Sequence, residues 1–209
     1  MLAKPTSGLM PVLFFFMIMT LVPFSMSISQ VGVSPYAPGF IWIAAILSIL
    51  LKADQFFVDD LREGITEQWI LLPSPFVWLI SVKLFAIWFI HIFPLLFAIP
   101  LVLIWFSIPN TVFIPFFAAI LIASPALTCY SAIGAVLATG VAESNLLGIA
   151  VVLPFFIPLI VLGSGILERA TEGTPVMPLL ALLSSLSLIV MALTPWVISQ
   201  ILKMHIEDL

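Results

Sequence analysis

Residues 77–106 read VWLISVKLFAIWFIHIFPLLFAIPLVLIWF, and only Lys83 and His91 in this run are ionisable. The apolar residues follow one another without the apolar–polar alternation of transmembrane β-strands, so the run predicts a membrane-spanning helix and not a barrel strand. It is longer than the roughly 20 residues that cross a bilayer. We therefore expect this helix to tilt, to kink at Pro94 or Pro100, or to begin in the membrane interface.

Similar apolar runs recur along the chain and predict six transmembrane helices, near residues 9–28, 39–56, 77–106, 112–138, 145–167 and 178–202. The composition agrees, with 63% hydrophobic and 8% charged residues against about 25% charged residues in ordinary soluble domains. The expected fold class is all-α, a polytopic membrane protein with one transmembrane domain over residues 1–209. The first run is expected to stay as a span and not to be cleaved as a signal peptide.

Basic residues near the spans predict the orientation of the chain. With the N-terminus inside, five of the six basic residues fall on the cytoplasmic side, namely Lys4, Lys52, Arg62, Lys83 and Lys203, and only Arg169 lies outside. Both termini would face the cytoplasm, as would the loops 53–75 and 139–144, whereas the loops 29–38 and 168–177 would face outward. Lys52 and Lys83 are expected to extend toward the cytoplasmic interface.

Six of the 16 charged residues of the chain gather in DQFFVDDLREGITE, residues 54–67. On a continuous helix one face would be apolar and consist of Leu61, Ile65, Trp69 and Leu72. The residues pointing elsewhere would be Asp60, Glu63, Thr66 and Glu67. The pattern predicts an amphipathic helix on the cytoplasmic surface, with Asp59 or Asp60 as its N-cap and Pro73 at its end.

Gly64 lies in the middle of this predicted helix, where glycine costs about 1 kcal/mol relative to alanine. A partner pressed close to the backbone would compensate, and so would a break into two short helices. Helices that merely lie on a membrane usually carry lysine and arginine on the polar face. An acidic face therefore favours a protein partner, with an interfacial helix as the alternative.

Residues 37–75, APGFIWIAAILSILLKADQFFVDDLREGITEQWILLPSP, resemble the CcmB family, the haem exporter B subunits of cytochrome c maturation. The most specific part of the match is carried by Asp59, Asp60, Gly64, Glu67 and Gln68. Looser similarity extends through GAVLATG at 134–140 and VLPFFIPLIVLGSG at 152–165.

The resemblance implies an ABC-2-like exporter permease in the bacterial inner membrane, with six helices per subunit. It implies a cytoplasmic ATPase partner, CcmA, together with CcmC, a small CcmD-type subunit and, indirectly, the haem chaperone CcmE. The permease would act as a homodimer or as a pseudo-dimer with a related permease. The segment 53–75 would be a coupling helix, and its expected contact residues are Asp59, Asp60, Leu61, Glu63, Gly64, Ile65, Glu67, Gln68 and Trp69.

The chain carries no G-x-x-x-x-G-K-[ST] phosphate loop and no H-E-x-x-H or C-x-x-C motif, so it is expected to bind neither ATP nor a metal ion by itself. A basic tract for nucleic acid is also missing. Cys129 is expected to be a buried small hydrophobe. Haem is a possible handled ligand, and His91 is either a haem ligand or proton relay, or a neutral histidine hydrogen-bonded to a neighbouring helix.

We therefore expect a non-catalytic permease subunit that couples ATP hydrolysis by a partner to haem delivery, or to release of a haem-loaded chaperone. The alternative is a self-sufficient secondary transporter or channel for a small hydrophobic substrate. Such a transporter would need ionisable residues along its path and often an internal repeat. A further prediction concerns packing: small side chains at Ser131, Gly134, Ala135 and Ala138 allow a neighbouring helix to approach closely.

Overall fold

A computed structural model describes residues 9–25, 37–53, 55–105, 110–139 and 145–207, and the regular elements in these ranges are helical. They are α1 (Leu9–Ser25), α2 (Ala37–Ala53), α3 (Gln55–Arg62), α4 (Ile65–Leu71), α5 (Phe76–Ile87), a π turn (Trp88–Ile92), α6 (Phe93–Trp105), α7 (Asn110–Thr139), α8 (Asn145–Thr171) and α9 (Met177–Glu207). The expected all-α class is therefore confirmed.

By length and composition, the described part of the chain has five helical stretches that could cross a membrane. They are Gly39–Arg62, Phe76–Val102, Thr111–Thr139, Ala150–Thr171 and Met177–Met204. The first expected span coincides with a shorter apolar helix, α1, whose 17 residues cover about 25 Å at 1.5 Å per residue. The chain is thus a polytopic helical membrane protein whose described residues hold five candidate spans and one shorter apolar helix.

The bundle is organised around α7. This helix contacts α2, α3, α5, the π turn, α6, α8 and α9. The most apolar 18-residue stretch of α7 is 56% buried, whereas the corresponding stretch of α9 is only 22% buried. Many of the buried residues of α7 are alanines, including Ala119, Ala123, Ala126 and Ala132. Small side chains let neighbouring helices approach from several directions, which is why this helix can occupy the centre.

Glycine allows two close helix contacts in the bundle. A Cβ atom on Gly148 of α8 would lie 2.6 Å from the carbonyl oxygen of Gly134 and would also collide with the backbone of Ala138 on α7. The predicted close approach is therefore confirmed at these two small residues. A Cβ atom on Gly163 of α8 would collide with the indole of Trp42 on α2, and that indole is buried.

The long third run is not one uniform α-helix. It consists of α5, the π turn and α6, and the backbone N–H of Phe93 donates to the carbonyl of Trp88, five residues back. Pro94 follows immediately and has no N–H to continue the α-helical ladder. The irregularity thus lies next to one of the two prolines named from the sequence, whereas α6 runs through Pro100.

The connection 53–75 contains the expected helical segment, which is divided into α3 and α4. The predicted loop 168–177 needs correction. α8 continues to Thr171 and α9 begins at Met177, so the connection is shorter than the expected loop 168–177. Gly173 in this connection has a φ of 71°, which only glycine adopts readily, so the chain can reverse within a few residues. The other two predicted loops, 29–38 and 139–144, lie mostly outside the described residues.

Candidate functional site

The acidic segment folds as two short helices joined by a turn, and we call α3, the turn at residues 63–64 and α4 the acidic elbow. Gly64 has a φ of 67°, in the left-handed region that side chains with a Cβ atom avoid at a cost of roughly 1–2 kcal/mol. A single continuous helix is therefore wrong, and the break into two helices is what accommodates Gly64. A Cβ atom there would meet only the Glu67 Oε2 atom, at 3.9 Å, so the requirement for glycine is conformational.

The first helix of the acidic elbow is amphipathic and begins earlier than expected. α3 starts at Gln55, and Phe56 and Phe57 are buried against the bundle. The prediction that Asp59 or Asp60 caps the helix is therefore wrong, because both lie in its second turn. Burial of the two phenylalanines extends the helix toward its N-terminus, since it removes apolar surface from water or lipid headgroups.

The residues of α4 that are buried differ from those expected if α3 and α4 formed one continuous helix. Thr66 is buried, with 1% of its surface exposed, although a continuous helix would have placed it away from the apolar face. Leu72 lies beyond the end of α4 and is 47% exposed. The left-handed turn rotates α4 relative to α3, so the faces of the two helices do not continue into each other. Trp69, by contrast, packs against the core as expected.

The nine residues predicted to form the contact surface fall into two groups. Four side chains are exposed, namely Asp59, Glu63, Glu67 and Gln68. The partly buried residues are Asp60, Leu61, Gly64, Ile65 and Trp69, of which Leu61 and Trp69 pack against the hydrophobic core. The exposed group leaves three carboxylates facing away from the bundle on one folded segment.

Lys83 of α5 connects the acidic elbow to the bundle. Its ammonium group forms an ion pair with Asp60, and the two side chains are only 15% and 22% exposed. The same ammonium lies 4.5 Å from the centre of the Phe57 ring and 5.4 Å from that of Trp69. An acidic partner and two aromatic faces thus lie within reach of this ammonium group, and the extension of Lys83 toward the cytoplasmic interface stays a prediction.

Sequence reasoning missed this contact, although a signal for it exists. Lys83 is the only Lys, Arg, Asp or Glu between residues 76 and 105, and an isolated charge in an apolar span usually has a partner inside the protein. The acidic segment is the nearest source of such a partner. The other lysine considered, Lys52, donates a hydrogen bond to the Gln55 Oε1 atom at 3.1 Å.

His91 lies in the π turn and is partly buried. Its Nδ1 atom is 3.2 Å from the carbonyl oxygen of Ile87 in the preceding turn, and its ring centre is 5.1 Å from that of Phe56 on α3. The hydrogen bond is therefore made within its own helix and not to a neighbouring one. Within the described ranges, no three His, Cys, Asp or Glu side chains form a group that could hold a metal ion.

A cavity of about 230 Å³ lies between α5, α7 and α9. Its lining is mostly apolar and consists of Ser81, Leu84, Phe85, Trp88, Pro125, Thr128, Cys129, Met191 and Pro195. The indole Nε1–H of Trp88 donates to the Ser124 Oγ atom at 2.9 Å, so this polar group is already satisfied. The cavity offers shape and apolar surface and no charged group.

The acidic elbow is a candidate docking surface. It carries exposed carboxylates on a segment whose turn is set by Gly64 and which Lys83 ties to α5, and charge-assisted hydrogen bonds from a basic partner suit such a surface. The fold and this site together define a polytopic helical membrane protein with a structured acidic segment that overlaps the end of one candidate span, Gly39–Arg62, and precedes the next, Phe76–Val102.

The chain belongs to the CcmB protein family, whose family model matches residues 3–205. It is 30% identical over 205 residues to heme exporter protein B of Pseudomonas aeruginosa, covering 98% of this chain and 92% of that protein. It is also 30% identical over 205 residues to heme exporter protein B of Haemophilus influenzae, covering 98% and 93%. The corresponding protein of Escherichia coli K12 is 32% identical over 197 residues, covering 94% and 90%. The resemblance seen in the sequence is confirmed.

Proposed function

We propose that this chain is the transmembrane permease subunit of an ABC-type haem exporter complex that serves the assembly of c-type cytochromes. The names of its relatives support the haem-export role. The single observation that supports ATP coupling is the acidic elbow, which presents Asp59, Glu63 and Glu67 as exposed carboxylates on an otherwise weakly charged chain. An ATPase with a basic groove would bind this surface and transmit its conformational change to the bundle.

The architecture that this proposal requires is a single ABC-2-like permease domain over residues 1–209 with six spans, α1 being the first. It lies in the bacterial inner membrane with both termini in the cytoplasm, as the basic residues predict. The partner ATPase is CcmA, and the complex is completed by CcmC, a small CcmD-type subunit and a second permease, which is either another copy of this chain or a related permease. The permease itself is not an enzyme, and ATP binds to the partner chain.

Two outputs of ATP hydrolysis are compatible with the proposal. Haem could pass along the permease, or the complex could use ATP to release a haem-loaded CcmE chaperone from a neighbouring subunit. The alternative class, a self-sufficient transporter, receives less support from the structure. Such a protein needs ionisable groups along its path, and the residues that line the cavity between α5, α7 and α9 are uncharged.

The test is co-purification of the chain with its candidate ATPase in detergent or nanodiscs, with ATP turnover as the second readout. The variant is Glu63→Lys with Glu67→Lys, because both side chains are exposed and neither takes part in the Lys83 ion pair. The matched control is Glu168→Lys with Glu172→Lys, two exposed glutamates at the α8–α9 connection. It has the same change in net charge.

We expect the elbow variant to weaken ATPase binding by at least about tenfold, which corresponds to 1.4 kcal/mol, and to lose permease-dependent ATP turnover. The control should bind and turn over like the unaltered chain. If the elbow variant inserts correctly and still binds the ATPase normally, the elbow is not the docking surface. If the unaltered chain never binds an ATPase, the permease assignment itself fails.

A further inference from the structure

A single side chain joins both helices of the acidic elbow to a membrane-embedded helix. The ammonium group of Lys83 on α5 pairs with Asp60 and faces the ring of Phe57, both on α3, and it also faces the ring of Trp69 on α4. α3 and α4 are otherwise connected through Gly64, a turn with left-handed backbone geometry. The lysine therefore ties both helices of the acidic elbow to α5.

We infer that Lys83 is a positioning residue that transmits movement of the acidic elbow to α5 and thereby changes the width of the cavity between α5, α7 and α9. This inference rests on the proposed function, in which a partner ATPase moves the elbow. It adds a side chain through which α5 receives that movement.

The environment of Lys83 suits this role. A lone ammonium in an apolar span is costly unless it is paired, and its partners here come only from the acidic elbow among the contacts described for it. Separating the elbow from α5 would leave the ammonium and the Asp60 carboxylate buried without each other. The two elements are therefore expected to move together, because breaking a buried pair costs more than displacing it intact.

At the C-terminal end of α5, a hydrogen bond anchors the chain to α7 and a π turn interrupts the regular α-helix. The Trp88 indole, at the start of the π turn, is hydrogen-bonded to Ser124 of α7. Pro94 cannot donate a backbone hydrogen bond, so the helical ladder is interrupted just beyond this turn. A push applied at Lys83 therefore acts about 7–8 Å along the helix from Trp88, at 1.5 Å per residue, and tilts α5 about the π turn.

The cavity lies beside the part of α5 that this tilt would move. Ser81, Leu84 and Phe85 of α5 form one wall together with Trp88 of the π turn, and residues of α7 and α9 form the rest. Lys83 lies on the same helix between Ser81 and Leu84, so movement of α5 at Lys83 shifts this wall relative to Pro125 on α7. Elbow position and cavity width are thereby linked through Lys83, in addition to the packing of α3 against α7.

The experiment uses the whole complex of this chain with its partner ATPase and companion subunits, in cells that lack their own copy of this permease. The variant is Lys83→Met, which keeps the length of the side chain and removes its charge. The control is Lys52→Met, because Lys52 is a nearby lysine that contacts Gln55 and not the acidic residues of the elbow. Three quantities are measured: ATPase captured per permease, ATP hydrolysed, and c-type cytochrome formed.

For Lys83→Met we expect capture of the ATPase within about twofold of the unaltered chain, because the exposed carboxylates are unchanged. The yield of cytochrome per ATP hydrolysed should fall at least about tenfold, the ratio that 1.4 kcal/mol of lost coupling produces. Lys52→Met should leave both quantities unchanged. A purely structural role would lower the amount of inserted chain and the capture of ATPase together, without changing the yield per ATP.

A second pair of variants keeps the inference testable if Lys83→Met accumulates poorly. Asp60→Asn preserves the shape of the partner and should reduce the yield per ATP in the same way, while Lys83→Asp combined with Asp60→Lys restores opposite charges and should recover part of it. If either single variant accumulates and keeps a normal yield per ATP, the inference is overturned. If the charge-swapped chain is no better than the single variants, it is also overturned. Failure of the unaltered chain to capture an ATPase would instead reject the proposed function.

Discussion

Lys83 and Asp60 form an ion pair between α5 and α3, and with 15% and 22% of their side chains exposed the pair is largely buried. Removing one member of such a pair leaves the other charge buried and uncompensated, which typically costs about 2–5 kcal/mol. Replacing both members by apolar residues of similar volume is often neutral. We therefore expect substitution of either residue alone to destabilise the chain more than substitution of both together.

We expect Lys83→Met to lower the free energy of unfolding by about 2 kcal/mol, the low end of that range because the pair keeps some exposure. The thermal midpoint should fall by about 4–8 °C. Lys83→Met with Asp60→Leu should recover most of the loss. The measurement is a thermal scan with a thiol-reactive dye, which reports the exposure of Cys129, the only cysteine of the chain and buried in the fold. A double variant no more stable than the single one would contradict the prediction.

The turn of the acidic elbow gives a second prediction. Gly64→Ala should lower the thermal midpoint, because alanine at a φ of 67° costs roughly 1–2 kcal/mol. Gly173→Ala is the matched control, since Gly173 has a φ of 71° and lies in the α8–α9 connection. Both substitutions should lower the midpoint by a similar amount in the same dye scan.

The two glycine variants should differ in ATPase capture. Gly64→Ala distorts the angle between α3 and α4, so we expect it to reduce capture several-fold. Gly173→Ala should bind the ATPase normally. Equal capture by the two variants would mean that the angle of the acidic elbow does not matter for docking.

Helix packing at Gly148 gives a third prediction. A Cβ atom there collides with backbone atoms of α7, and backbone cannot move away by changing a rotamer. Gly148→Ala should therefore destabilise the chain by about 2–3 kcal/mol, as overpacked cores do. Gly39→Ala is the control, because a Cβ atom on Gly39 meets nothing within 4 Å. The thermal scan should show a clear drop for the first variant and none for the second; equal midpoints would refute close α7–α8 packing.

A fourth prediction concerns orientation in the membrane. In a Cys129→Ala background, a single cysteine at Glu172 should react with a membrane-impermeant maleimide added to intact spheroplasts. A single cysteine at Glu63 should react only after the membrane is permeabilised. Both positions are exposed, so access of the reagent decides the result. The opposite labelling pattern would invert the predicted topology and place the acidic elbow where a cytoplasmic ATPase could not reach it.

Much of the fold could be predicted from the sequence because a membrane span depends mainly on local composition. About twenty consecutive apolar residues suffice, so five of the six predicted runs coincide with candidate spans and the first coincides with α1. The acidic segment was also visible, since its charges stand out from the rest of the chain. The helix boundaries within it were not, because Phe56 and Phe57 extend α3 by packing against the bundle.

The candidate site was predicted in part. Gly64 in the middle of the predicted helix indicated either a break in the helix or a closely packed protein partner. The structure shows the break. The burial of Thr66 and the exposure of Leu72 could not be foreseen, because a left-handed turn changes the rotation of the helix that follows it. Periodicity arguments assume a continuous helix, and they fail at the residue where the helix stops.

The sequence by itself determined the membrane class, the positions of the apolar helices, the acidic segment and membership of the CcmB family. Each of these depends on residue types that lie close together along the chain. Only the tertiary structure decided that Lys83 pairs with Asp60, that Trp69 faces the same ammonium group, and that α7 lies at the centre. These relationships depend on how helices rotate and pack against one another, which is fixed by the contacts of the whole bundle and not by any single segment.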